Sequence, residues 1–205
     1  MLKNIFKDNL KTIRLNANGF SYLDSLTPLF SIDCQEEELL VVIANQPPVV
    51  VPIELYDPEI DVDYLKVQYD VSQLEEVVAS EFKDYSLLNF ITHDQKRKLE
   101  TVDKPIHFIP LFLFQILHIP QIPEKTILID LQNYTLQISL LMYEELQFIT
   151  YFNLVGEMDG LYHLINICTQ YEIPREEAEV FYTHITPSME KLLKPYFKLN
   201  SLLKK

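Results

Sequence analysis

Five histidines, two cysteines and several runs of adjacent acids are the side chains of this 205-residue sequence that could ligate a metal, attack a carbonyl or move a proton. A zinc site needs imidazoles brought to one face, as His-x-x-x-His does on a helix. His93, His107, His118, His163 and His184 have no such spacing. A thiol nucleophile needs a base within hydrogen-bond reach, but His163 and Cys168 are five positions apart and diverge on a helix. Glu36-Glu37-Glu38, Glu144-Glu145 and Glu176-Glu177 alternate faces on a strand or splay on a helix, and read as solvating charge rather than as acid–base pairs. No Gly-x-Ser-x-Gly elbow and no P-loop occurs.

The elements that would position any site are clearest over residues 126–155. Ile127, Leu128 and Ile129 form an apolar run ending at Asp130, and Gln132-Asn133 supply turn chemistry. Leu136, Ile138 and Leu140 then alternate with Gln137 and Ser139, which puts one face on a core. Tyr143-Glu144-Glu145 makes a second turn before Leu146, Phe148, Thr150 and Phe152. After Gly156 the period changes to that of a helix, with Leu161, Leu164, Ile165 and Cys168 on one stripe. Three antiparallel strands followed by a helix are expected.

Earlier in the chain, 12–15 and 20–23 flank Asn16-Ala17-Asn18-Gly19, a hairpin signal. Strands are expected at 39–44, 49–53, 64–69, 86–91 and 106–109. Leu74, Val77 and Val78 fit a short helix or an extended arm. A short polar helix begins at Thr92 or His93, and another spans 110–117 with Pro110 at its first position. Later come a strand at 180–184 and a helix capped by Thr186-Pro187 that breaks near Pro195. The Pro-rich stretch 119–125 reads as a linker, dividing a first lobe, 1–118, from a second, 126–205. Both lobes open with a hairpin, a weak duplication of topology.

With 48% apolar residues the chain can build real cores, and a formal charge of −13 argues against nucleic acid, whose phosphates need many Lys and Arg contacts. The basic residues gather at Lys96-Arg97-Lys98 and in the tail (Lys191, Lys194, Lys198, Lys204, Lys205), where they read as solvated faces. Cys34 and Cys168 read as free thiols of a reducing compartment. The start MLKNIFKDNL is too polar for a signal peptide, and the apolar stretch 106–119 is too interrupted to span a bilayer. A cytoplasmic protein with no membrane insertion is expected.

The segments IRLNANGFSY, VPIELYDPEIDVDYLKVQY and ILIDLQNYTLQISLLMYEELQFITYFN followed by DGLYHLINI resemble a bacterial family of uncharacterised proteins in the actin-like ATPase (ribonuclease-H-like) superfamily. The resemblance covers most of the chain and implies a strand-rich α/β, two-lobed fold with a shortened first lobe. In that superfamily two hairpin loops grip nucleotide phosphates, using an acidic residue and glycines whose lack of a Cβ lets backbone N–H groups approach. By resemblance Asp130 and Thr135 match an acid and a hydroxyl of the second loop, and Asn16 stands where the first loop would carry a metal-positioning acid. Gln132, Asn133 and Tyr134 replace the small residues of the turn, and the whole chain has only three glycines, none adjacent. The leading expectation is therefore a degenerate, non-catalytic domain acting on an unknown protein partner, or as a homodimer through strand edges, with Tyr64, Tyr69, Tyr143, Tyr151 and Tyr162 as contact residues. The alternative is a weak ATP-binding switch, with ATP and Mg held by Asn16, Asp130 and Thr135 in the cleft between the lobes.

Overall fold

The computed structural model describes residues 10–16 and 19–203. The polar start, the turn pair Ala17-Asn18 and the terminal Lys204-Lys205 singled out above lie outside the described residues. The chain forms two compact units, residues 1–114 and 115–205.

The first unit begins with β1 (Leu10–Asn16) and β2 (Gly19–Tyr22), an antiparallel pair, and Gly19 takes a φ of 112° that a side chain would resist. β3 (Glu38–Ile43) and β7 (Ile106–Pro110) extend this sheet in parallel, in the order β2-β1-β3-β7. Ile13, Leu15, Phe20, Leu39 and Val41 form one core, closed by Leu99 of helix α2 (His93–Leu99). The helix starts where expected, and Thr92 caps it, its hydroxyl accepting from Gln95 N while the Gln95 side chain returns to Thr92 N.

Inserted between β3 and β7 is a second, antiparallel sheet, β4 (Val49–Pro52), β6 (Tyr85–Thr92) and β5 (Leu74–Phe82), with β6 in the middle. Pro52 ends the edge strand β4, where its missing donor costs least. One sequence expectation fails in this region, and another resolves to the extended one of its two alternatives. Residues 64–69 are no strand: helix α1 (Asp61–Lys66) takes the first half of the stretch and a turn the rest, with Asp61 and Asp63 in the helix's first turn and Lys66 paired to Asp63 at 2.7 Å. Its one buried side chain, Leu65, fills the core over β6 with Val51, Leu88 and Phe90. Leu74, Val77 and Val78 are no helix but lie on β5. A bulge between Leu74 and Glu76 adds one residue to the period of two, so Leu74 and Val77 reach the same core three positions apart and mimic helical spacing.

Helix α3 (Leu111–Leu117) follows Pro110, which is the last residue of β7 rather than the first of the helix, and the division between the units falls inside α3.

The second unit is built on the expected meander, β8 (Lys125–Gln132), β9 (Thr135–Met142) and β10 (Glu145–Asn153). It continues through β11 (Glu179–Tyr182) to β12 (Lys198–Ser201), both parallel to β8, in the order β10-β9-β8-β11-β12. Counted within the unit that order is third, second, first, fourth, fifth, and the first unit repeats it without a third strand. β12 was not expected from its sequence, KLNS, in which a lysine and an asparagine hide the alternation. Ile127, Ile129 and Leu131 of β8 and Leu136, Ile138 and Leu140 of β9 face a core made with α4 (Glu157–Gln170) and α5 (Pro187–Leu193). Thr186 caps α5, its hydroxyl accepting from Met189 N at 3.1 Å.

Both meander turns are two residues long. Asn133 and Tyr134 have φ of 47° and 62°, Tyr143 and Glu144 of 54° and 64°, the pattern of type I′ turns whose twist matches the strands. Gln132 and Glu145, read from the sequence as turn residues, belong instead to β8 and β10. A left-handed tyrosine carries a steric cost that glycine escapes. Tyr134→Gly is therefore expected to raise unfolding stability by about 0.5–1 kcal/mol in urea titrations, after allowing for glycine's greater unfolded-state freedom. On α4 the constraint is reversed. A Cβ at Gly160 would sit 2.5 Å from the end carbon of Met189 and 3.4 Å from methyls of Leu136 and Leu154. Gly160→Ala should be nearly neutral, since the flexible Met189 end can move and helix propensity improves by about 1 kcal/mol. Gly160→Val should lose about 2–3 kcal/mol by overpacking, read from the same titration.

Candidate functional site

The residues that the resemblance pointed to fall in separate units, and each has a distinct environment. Asn16 ends β1, nearly fully buried. Its Oδ1 accepts from Arg14 Nε at 2.7 Å, and its Nδ2 donates to Ser21 Oγ at 2.6 Å, which in turn donates to the Tyr22 carbonyl. The neutral amide thus seats a fully buried guanidinium against the hairpin, a role an aspartate would fill with charge.

Asp130 and Thr135 flank the first meander turn. Asp130 is buried on β8, directly across from Gln137 of β9, on the face opposite the α4–α5 core. Ser139 lies two residues further along that face and is also buried. Gln137 Nε2 and Ser139 Oγ have no hydrogen-bond partner among the described residues, and with Asp130 they place a carboxylate, an amide donor and a hydroxyl on one buried strip of sheet. Gln115 closes the strip toward β11, its Nε2 donating to Ile129 O at 3.0 Å and to Thr183 Oγ1 at 2.7 Å. Thr135 is at the strip's end, where its hydroxyl donates to Asn153 Oδ1 at 3.2 Å.

The turn itself does not fit a phosphate. A phosphate loop offers backbone N–H groups with no Cβ in front of them. Here the turn carries the side chains of Asn133 and Tyr134, and the Tyr134 carbonyl is taken by Leu154 N at 2.7 Å. Asp130 and Thr135 would be the residues near a nucleotide's phosphates and its Mg ion, but the cradle joining them is built from bulky residues.

The other reactive side chains have structural surroundings. Burial pushes the Cys168 thiol up to about 11, and burial together with Glu36 raises Cys34, so neither is an activated thiolate. Both are free cysteines. His163 stacks on Phe152 with ring centroids 3.9 Å apart, His184 Nδ1 is 2.8 Å from the Leu131 carbonyl, and His107 lies 3.3 Å from Glu38. His93 pairs with Glu75 at 2.9 Å, and the carboxylate raises its pKa. Among the described residues no three His, Cys, Asp or Glu side chains converge as a metal site.

Sequence reasoning missed a cleft of about 740 Å3 beside the same turn, lined by Tyr134, Val155, Met158 and Leu192 with Glu157 and Lys191. Side chains from a turn, a helix start and a second helix meet here from far apart in sequence, and no local period announces such a meeting. Of the five tyrosines proposed as contacts, Tyr143, Tyr151 and Tyr162 are exposed. Tyr64 and Tyr69 are not: they pack against the core over β6, with hydroxyls on the Leu55 and Pro47 carbonyls.

Among solved structures the chain is similar to a Bacteroides thetaiotaomicron VPI-5482 protein with an actin-like ATPase fold and unknown function. The TM-score is 0.70 at 15% identity, over 96% of this chain and 93% of that one. A PilM-PilN type IV pilus biogenesis complex matches at TM-score 0.49 and 8% identity, over 82% of this chain and 69% of that chain. An AlfA filament bound to AMPPNP matches at 0.42 and 14% identity, over 82% and 54%. The comparison with curated proteins finds no match. The fold is thus actin-like, with the strand order of the second unit intact and that of the first unit one strand short. A family model covers residues 12–198, and the chain belongs to that family, the proteins of unknown function designated DUF3822.

Proposed function

We propose that this protein is a non-catalytic actin-like domain that works by binding another protein. The observation that carries the reading is the turn Asn133-Tyr134, where side chains stand on the backbone that would have to approach a phosphate. Asn16 agrees with it, since its amide is engaged with Arg14 and Ser21. The lobes are read as 1–118 and 126–205, joined by 119–125. The cytoplasm is the natural compartment for Cys34 and Cys168 as free thiols.

A second reading has one observation in its favour. Beside Asp130, the buried Gln137 Nε2 and Ser139 Oγ have no hydrogen-bond partner among the described residues, and this reading is of a switch that binds ATP weakly, with Asn16, Asp130 and Thr135 as the residues near its phosphates and Mg.

Thermal unfolding with and without millimolar ATP and Mg separates the two. A ligand that binds only the native state at a hundredfold excess over its dissociation constant adds about 2.7 kcal/mol, a shift on the order of 5–10 °C for a chain of this size. No shift is expected. An upward shift that Asp130→Ala abolishes would overturn the non-catalytic reading and make the strip a nucleotide site.

A further inference from the structure

Between β4 and β5 the chain builds a cap on the antiparallel sheet from two short 3-10 turns, Ile53–Leu55 and Pro58–Ile60, and helix α1. The cap is fixed from below. Ile53 N donates to the Asp84 carbonyl at 2.8 Å, and Tyr64 Oη donates to the Leu55 carbonyl at 2.6 Å while accepting from Asp57 N at 3.2 Å. Tyr56 and Tyr64 pack with Leu65 against the core over β6, and burial together with a hydrogen bond to Asp61 pushes the Tyr56 hydroxyl up to about 12. With its tyrosines turned inward, the cap leaves aliphatic side chains in solvent: Leu55 is 65% exposed, Val67 88%, Ile53 42% and Ile60 43%. Ile60 immediately precedes α1 and Val67 immediately follows it, about 10 Å apart along the helix axis, and Tyr64 ties Leu55 to the same helix. Four large apolar side chains exposed on one small fixed cap form a patch rather than scattered residues, and such patches mark contact surfaces.

The charges set among these side chains say what covers them. Residues 53–70 hold six carboxylates and one lysine, and that lysine, Lys66, is engaged by Asp63 at 2.7 Å. Asp57 accepts from Glu59 N and Asp70 from Ser72 N, each at 2.9 Å, contacts with neutral backbone that leave the negative charge in place. Glu54 lies between Ile53 and Leu55 in sequence and Glu59 beside Ile60, and neither has a cation within ion-pair distance among the described residues. The net charge of the whole chain, −13, acts in the same direction. It repels a second copy and any acidic segment, and it attracts a basic one.

We infer that the cap carrying Ile53, Leu55, Ile60 and Val67 with Glu54 and Glu59 docks a segment of a protein partner in which large apolar side chains are flanked by lysine or arginine. The inference rests on the protein-binding reading and names the surface and the chemistry of the partner. The partner's apolar side chains seat on the aliphatic ones of the cap, while its cations meet Glu54 and Glu59, which speeds the encounter and rejects partners of the wrong charge.

The test is a random dodecapeptide phage library panned on the full chain, with selected peptides measured by fluorescence anisotropy against the native chain and three variants. Leu55→Ser removes an apolar anchor without changing charge. Glu54→Lys with Glu59→Lys reverses the charge of the cap, and Glu37→Lys with Glu176→Lys makes the same change in net charge elsewhere. All five positions are exposed, and an unchanged thermal midpoint confirms folding, with Val67→Ser taking the place of Leu55→Ser if that midpoint falls. The expected result is enrichment of peptides combining large apolar residues with Lys or Arg. Leu55→Ser should weaken their binding about tenfold. The charge reversal on the cap should weaken it in a salt-dependent way, and the distant pair should change it by less than about twofold. The inference is overturned if nothing is enriched, if acidic peptides dominate, or if the selected peptides bind Leu55→Ser as tightly as the native chain. It is overturned equally if the distant pair weakens binding as much as the cap pair, since overall charge alone would then hold the peptides. Self-association in sedimentation equilibrium that Leu55→Ser abolishes would make the occupant a second copy and overturn it too. The ATP thermal shift reads a different property of the chain, so failure of the docking surface and failure of the non-catalytic reading are told apart.

Discussion

Strand β8 cannot be moved without dismantling the second unit. It is hydrogen-bonded along one edge to β9 in antiparallel register and along the other to β11 in parallel register. Both of its faces are buried: Ile127, Ile129 and Leu131 on the helical side, Thr126, Leu128 and Asp130 on the other. A one-residue slip would exchange these sets and put Asp130 among the methyls of α4 and α5, so burial on two sides fixes the register as no surface strand could. Everything proposed for this unit inherits its position from that strand. The first turn leads directly out of it, and the polar strip of Asp130, Gln137 and Ser139 is its second face continued onto β9.

That arrangement explains how much of the fold was legible in the sequence. The meander was readable because strict alternation in β9, an apolar run in β8 and two turn signals agreed, and the change to helical spacing at Glu157 marked its end. Thr186 was readable as a cap, and the start of a helix at Thr92 or His93 as a boundary, because capping is local chemistry. The failures came where tertiary packing overrode the local pattern. Residues 64–69 alternate as a strand would, but the core over β6 takes Leu65 with Tyr64 and Tyr69 packed against it, and a short helix followed by a turn delivers them. In β5 the bulge shifted the spacing, and in β12 a strand of four residues pairs with β11 on one side only.

For the candidate site the sequence showed residue types beside turns and not the surroundings those residues have. Asn16, Asp130 and Thr135 could be named, and their spacing from the turns was right, but the buried partnership of Asn16 with Arg14 depends on a hairpin closing over a charge. Nor could sequence reveal that Gln137 Nε2 and Ser139 Oγ have no hydrogen-bond partner among the described residues, because that depends on what the remainder of the unit leaves unfilled. The apolar cleft lay further still from view, since Val155 and Met158 look like ordinary helix-start residues until Leu192 and Tyr134 are brought beside them.

The five-stranded sheet also has two ends, and a sheet end exposes unpaired backbone to any extended chain that meets it. Strand β10 forms one of them, and the irregularity between Leu146 and Phe148 interrupts the regular row of donors and acceptors there. Glu145 and Gln147 add charge and polarity beside that break. At the other end β12 is four residues long and carries Lys198 and Asn200. A short or bulged margin is a poor template for strand addition, so the sheet guards itself against the uncontrolled aggregation that long flat edges invite. A partner that engages this unit is thereby directed toward side chains and away from the backbone.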